Sequence, residues 1–283
     1  LAFGPDGRVL VSISSDRSAR VWNMTASSPA EDPVVLPHRD EVNVLAVGPG
    51  SRHVLTGSIA RVSLWDLQLP DPSSQARILP GHEVDILAVA IGPKGRWAAS
   101  ASADPLVILW DLENGGTPTR LRRHQEEIDA LAFSHDERWL ASGSRDKSVR
   151  LWDLGSKHPE EGSIELSGHE QRIGSLEFSR DGRWLFSGSY DRTVRVWDMQ
   201  AEDIAASSVV LEGHDQLVSD LAVAPDGRFV VTASYDATAR LWPLDPQRLV
   251  DLGCTLVGRD LTPEEWSAAG LGGRHHPVCS AGR

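Results

Sequence analysis

Between Gly168 and Asp198 the chain carries three short β-rich runs, Ile173–Ser179, Trp184–Ser187 and Thr193–Trp197. Within them apolar residues such as Leu176, Phe178, Val194 and Val196 are separated by polar or small ones, the mark of a pleated strand with two unlike faces. Arg180-Asp181-Gly182 separates the first two runs, and Gly188-Ser189-Tyr190-Asp191 the second and third. Gly tolerates positive φ and Asp bonds its own backbone two residues on, so each connector reads as a tight turn. The pattern predicts a three-stranded antiparallel meander, followed by a fourth β run at Ser208–Leu211.

The unit recurs along the chain. A Trp closes the third run at Trp22, Trp65, Trp110, Trp152, Trp197 and Trp242, with gaps of 43, 45, 42, 45 and 45 residues, 44 on average. His38, His82, His124, His169 and His214 precede five of these Trp by 27 or 28 residues. An Arg opens the second run each time (Arg8, Arg52, Arg96, Arg138, Arg183, Arg228), usually before a bulky Trp97, Trp139, Trp184 or Phe229. That pairing predicts an Arg stem lying over an aromatic ring at the rim. Unit one lacks its His and most of its first strand but keeps Ser12, Asp16 and Trp22. Unit two departs most: its turn, Thr56-Gly57-Ser58-Ile59-Ala60, has no Asp and is one residue short. The fourth replaces the Gly before His with Arg123, and the sixth ends in Trp242-Pro243. Polar segments between units end in apolar sets such as Val34-Val35-Leu36 and Val209-Val210-Leu211, which predict outer, fourth strands. One such sheet cannot cover both of its faces, but a ring of them can.

A Gly-His…Trp-Asp pattern with this period resembles the WD40 repeat, and the resemblance covers roughly residues 1–244. It implies an all-β propeller of six recognisable blades, each a four-stranded antiparallel sheet, as part of a seven-bladed or longer array. The sixth unit shows no clear fourth strand, so an open or imperfectly closed ring is expected. After residue 244 the period changes, setting a C-terminal tail, 245–283, apart from the propeller. Asp245-Pro246 predicts a helix start with Leu249, Leu252, Gly253 and Leu256 on one face and Gly258 as its stop. Thr262 and Glu265 form a capping box around Pro263, predicting a second helix near Trp266, before a loose Gly-rich end. The run Cys254…Gly258-Arg259-Asp260-Leu261-Thr262…Glu265-Trp266…Cys279 resembles the tail of many bacterial WD40 proteins. In that group the propeller often follows a kinase, caspase-like or signal-transduction NTPase domain.

Composition narrows the partners. Of 283 residues, 40% are apolar and 24% charged, and the formal charge is −12. Phosphate-backbone binding calls for clustered Lys and Arg, so nucleic acid is not an expected partner. No apolar run approaches a membrane span, Ile86–Ile91 being about the longest, so no membrane association is expected. The two cysteines, Cys254 and Cys279, lie beyond the repeats. A propeller without disulfides fits a cytoplasmic location. Leu1 begins inside a strand pattern, as expected of a piece of a longer chain.

Four polar residues recur in register: His82, Ser100, Asp104, Trp110; His124, Ser142, Asp146, Trp152; His169, Ser187, Asp191, Trp197; and His214, Thr232, Asp236, Trp242. His, Ser and Asp together invite a catalytic-triad reading, but four equivalent copies describe a structural device. The indole N–H donates to the hydroxyl, the hydroxyl to the imidazole, and the other imidazole N–H to the carboxylate. The WD40 resemblance implies the same tetrad. Unit two keeps His38, Thr56 and Trp65 without an Asp and is expected to be the least rigid interior blade. His275, His276, Cys254 and Cys279 can be assembled into a zinc site, but their spacing matches no standard finger. Cys254 and Cys279 can also pair with each other; the sequence establishes neither. No phosphate loop, paired-carboxylate motif or nucleophile elbow is present, so no catalytic residue, metal, cofactor or small-molecule substrate is expected.

The WD40 resemblance implies partner binding on the propeller's narrower face, ringed by the strand-one entrances and the turns after strand two. By resemblance the residue before each turn Asp points there: Ser15, Ala103, Arg145, Tyr190 and Tyr235. The only two tyrosines share this position on adjacent units, and Tyr offers a large rigid surface with a polar tip. Glu127, Asp129 and Arg172 flank them, with Glu41, Asn43, Asp85 and Ser219 at the same rim. The expected function is a non-catalytic scaffold binding proteins or peptides; the alternative is the sensor region of a larger bacterial signalling protein.

Overall fold

The computed structural model describes residues 1–115 and 118–244. The expected tail helices, the loose end and the Cys254, Cys279, His275 and His276 alternatives lie outside the described residues.

The strands run in chain order. Blade one contains β1 (Ala2–Phe3), β2 (Val9–Ser14), β3 (Ser18–Asn23) and β4 (Val34–Pro37). Blade two contains β5 (Val44–Val47), β6 (His53–Ser58), β7 (Arg61–Asp66) and β8 (Arg77–Leu79). Blade three contains β9 (Ile86–Ile91), β10 (Trp97–Ser102), β11 (Leu106–Asp111) and β12 (Thr119–Arg122). Blade four contains β13 (Ile128–Phe133), β14 (Trp139–Ser144), β15 (Val149–Asp153) and β16 (Ile164–Leu166). Blade five contains β17 (Ile173–Phe178), β18 (Trp184–Ser189), β19 (Val194–Asp198) and β20 (Val209–Leu211). Blade six contains β21 (Val218–Val223), β22 (Phe229–Ser234) and β23 (Ala239–Pro243). Each sheet is an antiparallel meander; five are four-stranded and the sixth has three strands among the described residues. Five of the six expected four-stranded sheets are complete among the described residues, and the expected fourth strand of blade six lies outside them.

The core lies between blades rather than inside them. Ala141, Val149, Leu151 and Leu166 of blade four meet Ile173, Leu185 and Trp197 of blade five. The same positions meet at the other four junctions, ending with Phe186, Val194 and Val196 against Val218, Val230 and Trp242. Trp152 and Trp197 are completely buried. The recurrent Trp is therefore the residue each blade lays onto its predecessor.

The recurrent Arg has two partners. The guanidinium groups of Arg96, Arg138 and Arg183 lie 4.6, 5.2 and 4.6 Å from the ring centres of Trp97, Trp139 and Trp184. They also reach the Asp after the blade Trp: Arg96–Asp111 at 2.9 Å, Arg138–Asp153 at 3.8 Å and Arg183–Asp198 at 3.3 Å. Arg52 reaches Asp66 at 2.9 Å in the same way. The Asp of each Trp-Asp pair is a rim anchor.

Bonds at or near the turns between the first and second strands tie adjacent blades together at every other junction. Ser51 of blade two donates to Asp6 of blade one. Glu137 of blade four accepts the Lys94 N–H of blade three at 2.7 Å, and Lys94 Nζ donates to the Asp136 carbonyl at 2.7 Å. Glu137 holds φ of 59° where siblings use Gly95, Gly182 and Gly227. A non-glycine residue there is disfavoured, and the bond to Lys94 is what it gains. Between blades five and six, Glu177 Oε2 accepts the Val223 N–H at 2.9 Å.

Burial in that last junction pushes the Glu177 carboxyl up to about 7; the Val223 N–H opposes the rise and Asp220 adds to it. In the unfolded chain the same group titrates near 4.5. Above that pH the unfolded chain gives up its proton first, so stability falls as pH rises toward 7. Glu177→Gln is expected to unfold above the parent at pH 8, by on the order of 1–2 kcal/mol after solvent screening. The gain should vanish near pH 4.5, and thermal unfolding across that range checks it; a pH-independent difference would contradict it.

Candidate functional site

The tetrads form in three of the four predicted blades. His124 lies 2.8 Å from both Asp146 and Ser142, and the Trp152 indole donates to Ser142 at 2.9 Å. His169 lies 2.7 Å from Asp191 and 2.9 Å from Ser187, which accepts from Trp197 at 3.0 Å. His214 lies 2.8 Å from Asp236 and Thr232, which accepts from Trp242 at 2.9 Å. Burial alone would raise the Asp146 and Asp191 carboxyls. Bonds from His124 with Ser148, and from His169 with Thr193, outweigh it and hold both well below the usual range. Asp236 is held low by Thr238 and then by His214.

Blade three is the correction. His82 Nε2 meets Ser100 at 2.7 Å, but Nδ1 stands 3.8 Å from Asp104, and His82 Nδ1 and Trp110 Nε1 are both buried without a partner. The cause is Pro105. In the intact blades the residue after the Asp is left-handed, with φ of 72° at Lys147, 75° at Arg192 and 63° at Ala237. Proline locks φ near −65° and cannot adopt that conformation. The next residue elsewhere is Ser148, Thr193 or Thr238, whose hydroxyl donates to the Asp; here it is Leu106. The turn closes instead through the Leu106 N–H on the Asp104 carbonyl at 2.8 Å, and the Asp104 carboxylate takes Ser102. Burial accordingly lowers the His82 pKa. Blade two does without an Asp, because His38 Nδ1 lies 2.9 Å from the Leu36 carbonyl and Nε2 2.8 Å from Thr56. The missing bonds belong to blade three rather than to blade two.

These turns also build one rim. The N–H groups of Ala103, Arg145, Tyr190 and Tyr235 donate to the carbonyls of Asp85, Glu127, Arg172 and Leu217, at 2.9 to 3.1 Å. Backbone bonds thereby seat each turn residue beside its own strand-one entrance. Arg145 pairs with Glu127 at 2.9 Å and grips both Asp129 oxygens, at 3.0 and 3.2 Å. Arg172 of blade five reaches Asp129 of blade four at 3.6 Å and lies 3.7 Å over the Tyr190 ring centre. Five of the six predicted binding residues thus form one chain, Glu127–Arg145–Asp129–Arg172–Tyr190. Tyr235 stands apart on blade six, 67% exposed.

Sequence reasoning missed an apolar pair on the same rim. Ile59 is 53% exposed in the Tyr190 position of blade two, and Val84 of blade three is 40% exposed. The Ala60 N–H joins them through the Val84 carbonyl at 3.2 Å. Val84 stands where other units have Glu126, Gln171 and Gln216, and that contrast was the available signal. Elsewhere, among the described residues, His158, Glu160 and Glu161 bring metal-type ligand atoms within 4.8 Å of one another on an exposed loop. His158 and Glu160 form an ordinary exposed pair at 3.1 Å there.

Comparison with known proteins agrees with the geometry. The sequence model described as "WD40: WD domain, G-beta repeat" matches residues 1–23, 73–111, 116–153, 162–198 and 206–243, more than half of the chain. The first three strands of blade two, the most divergent unit, fall outside the matched stretches. Striatin-4 of Mus musculus is 28% identical over 134 residues, covering 41% of this chain and 18% of that protein. Nuclear distribution protein PAC1 of Arthroderma otae is 29% identical over 141 residues, 42% of this chain and 30% of its own length. Protein LST8 homolog of Drosophila melanogaster is 29% identical over 113 residues, 40% of this chain and 35% of its own. The matches span about a fifth to a third of these relatives.

Asp191→Ala would strand the His169 and Glu170 donors and should cost about 1–3 kcal/mol in urea unfolding. Asp104→Ala, at a turn already detached from its His, should cost no more than about 0.5 kcal/mol. Equal losses would contradict the blade-three geometry.

Proposed function

Because the chain belongs to the WD40 family, we propose that it is a non-catalytic, cytoplasmic scaffold that docks protein or peptide partners on the Tyr190–Arg172 rim. The carrying observation is the Glu127–Arg145–Asp129–Arg172–Tyr190 chain, which crosses two blades and is seated by backbone bonds. A rim of this kind presents prearranged charge and aromatic surface without an ordering cost at binding. Tyr235 on one side and Ile59 with Val84 on the other extend it with uncharged anchors. The His, Ser and Asp groups are used repeatedly in blade support, which argues against a unique catalytic constellation. The charge of −12 favours protein partners over nucleic acid. Among the described residues the side of blade six that carries Val231 and Leu241 is exposed, which supports an array that continues past six blades. A second reading, the sensor region of a larger bacterial signalling protein, draws its support from the tail sequence between Cys254 and Cys279.

The test is capture by the immobilised chain, identification of the retained protein, and a direct affinity measurement with that purified partner. Tyr190→Ala with Tyr235→Ala should weaken binding at least about tenfold, the scale of lost interface anchors. The unfolding midpoint should stay within a degree or so. Unchanged affinity would remove this rim as the docking face.

A further inference from the structure

One position at the start of the second strand is apolar in every blade but the second. Trp97, Trp139, Trp184 and Phe229 stand opposite Asp111, Asp153, Asp198 and Pro243, and Val9 opposite Asn23. Trp97 and Leu154 pack onto the core between blades three and four, Trp139 and Met199 onto the next, and Trp184 and Leu244 onto the last. Val9 and Leu67 do the same between blades one and two. Blade two has His53 there, opposite Asp66. Leu112 of blade three is in place to meet a ring, but His53 Nε2 stands 3.8 Å from Asp66 instead. Arg96, Arg138 and Arg183 each cover a neighbouring Trp, whereas Arg52 covers no ring among the described residues.

A cleft of about 650 Å³ opens at this junction, lined by Arg52, His53, Leu64, Arg77, Lys94 and Leu112 among others. Its charge departs from the repeat as well. Lys94 takes the turn position held by Asp6, Asp136, Asp181 and Asp226 in four other blades. Arg77, opposite Leu64, stands where the other outer strands have Val34, Thr119, Ile164 and Val209. Arg77 is exposed, and neither it nor Lys94 forms an ion pair among the described residues. Lys94 Nζ donates instead to the uncharged Asp136 carbonyl. Asp66 and Glu113 are the acids of the lining, and Arg52 already engages Asp66 at 2.9 Å. An apolar wall, an unstacked guanidinium and unpaired cations together match an aromatic group flanked by carboxylates. We propose that the cleft between blades two and three docks an acidic segment of a partner protein through one aromatic side chain. The guest ring takes the place that Trp97, Trp139 and Trp184 hold in their own blades, against Leu64 and Leu112 and under Arg52. Carboxylates beside it meet Arg77 and Lys94. The site rests on the scaffold reading, yet it lies at the Asp-Gly-turn end of the blades, away from the Tyr190 rim.

The probe is the blocked peptide acetyl-Glu-Trp-Glu-Asp-amide, titrated into the isotopically labelled full chain and followed by NMR. Signals of Arg52, Arg77 and Leu112 should shift, with a Kd of about 1 mM or tighter. Ala in place of the peptide Trp should abolish the shifts. His53→Trp fills the cleft with the sibling ring and should weaken binding at least about tenfold without lowering the unfolding midpoint. Arg77→Glu, on an exposed strand position, should weaken it roughly fivefold and reads the charge independently of how the filled chain folds. The Tyr190→Ala, Tyr235→Ala chain should bind the probe like the parent, so failure of the cleft is told apart from failure of the rim. Absent shifts at the cleft up to about 10 mM peptide, equal binding of the Ala peptide, or undiminished binding by either cleft variant would overturn the proposal. Loss of the probe with the two rim tyrosines would overturn it too.

Discussion

An imidazole held between a hydroxyl and a carboxylate fixes the turns on which the rest of this molecule depends. In blades four, five and six the His joins the loop before the first strand to the turn after the second, and the hydroxyl it meets also receives the blade Trp. One hydrogen-bonded relay therefore reaches from the rim to the inter-blade core. Its members are nearly buried, so each bond lost strands a polar group where water cannot replace it. The same turns carry Arg145, Tyr190 and Tyr235, and the devices that hold each blade together thus also position the proposed docking surface.

Neighbouring blades are joined beyond their apolar contacts by bonds that alternate between the two rims. Asp6–Ser51, Lys94–Glu137 and Glu177–Val223 tie blades one to two, three to four and five to six on the Asp-Gly-turn side. Ala60–Val84 and Arg172–Asp129 tie two to three and four to five on the other. Each junction has a polar tie in addition to the Trp face that fills it. Glu177 is the costly one, since it holds a carboxylate in a junction that disfavours its charge.

Period and register were legible in the chain because Trp and His recur at spacings few other folds require. The Arg over the aromatic ring was legible too, whereas its second partner, the Asp after the blade Trp, was not: that contact depends on strand register. The blade-three tetrad was misread because its four residue types are all present; the obstacle is Pro105, which matters only once the left-handed φ of the sibling turns is known. Ile59 and Val84 carry neither charge nor aromatic ring to mark them as anchors, although an apolar Val84 where other units have Glu126, Gln171 and Gln216 is itself a signal. The meeting of Arg172 with Asp129 crosses a blade boundary and could not be derived from spacing within one repeat.

The relay is tested most directly at its indole end, by the exchange rates of the tryptophan indole N–H protons, resolved by NMR on the chain labelled at tryptophan. Trp110 is nearly as buried as Trp152 and Trp197 but has no acceptor. If the hydrogen-bonded relay rather than burial holds the blades, the Trp110 proton exchanges well ahead of the Trp152 and Trp197 protons. Equal protection at all three would show that packing alone suffices and would contradict the account.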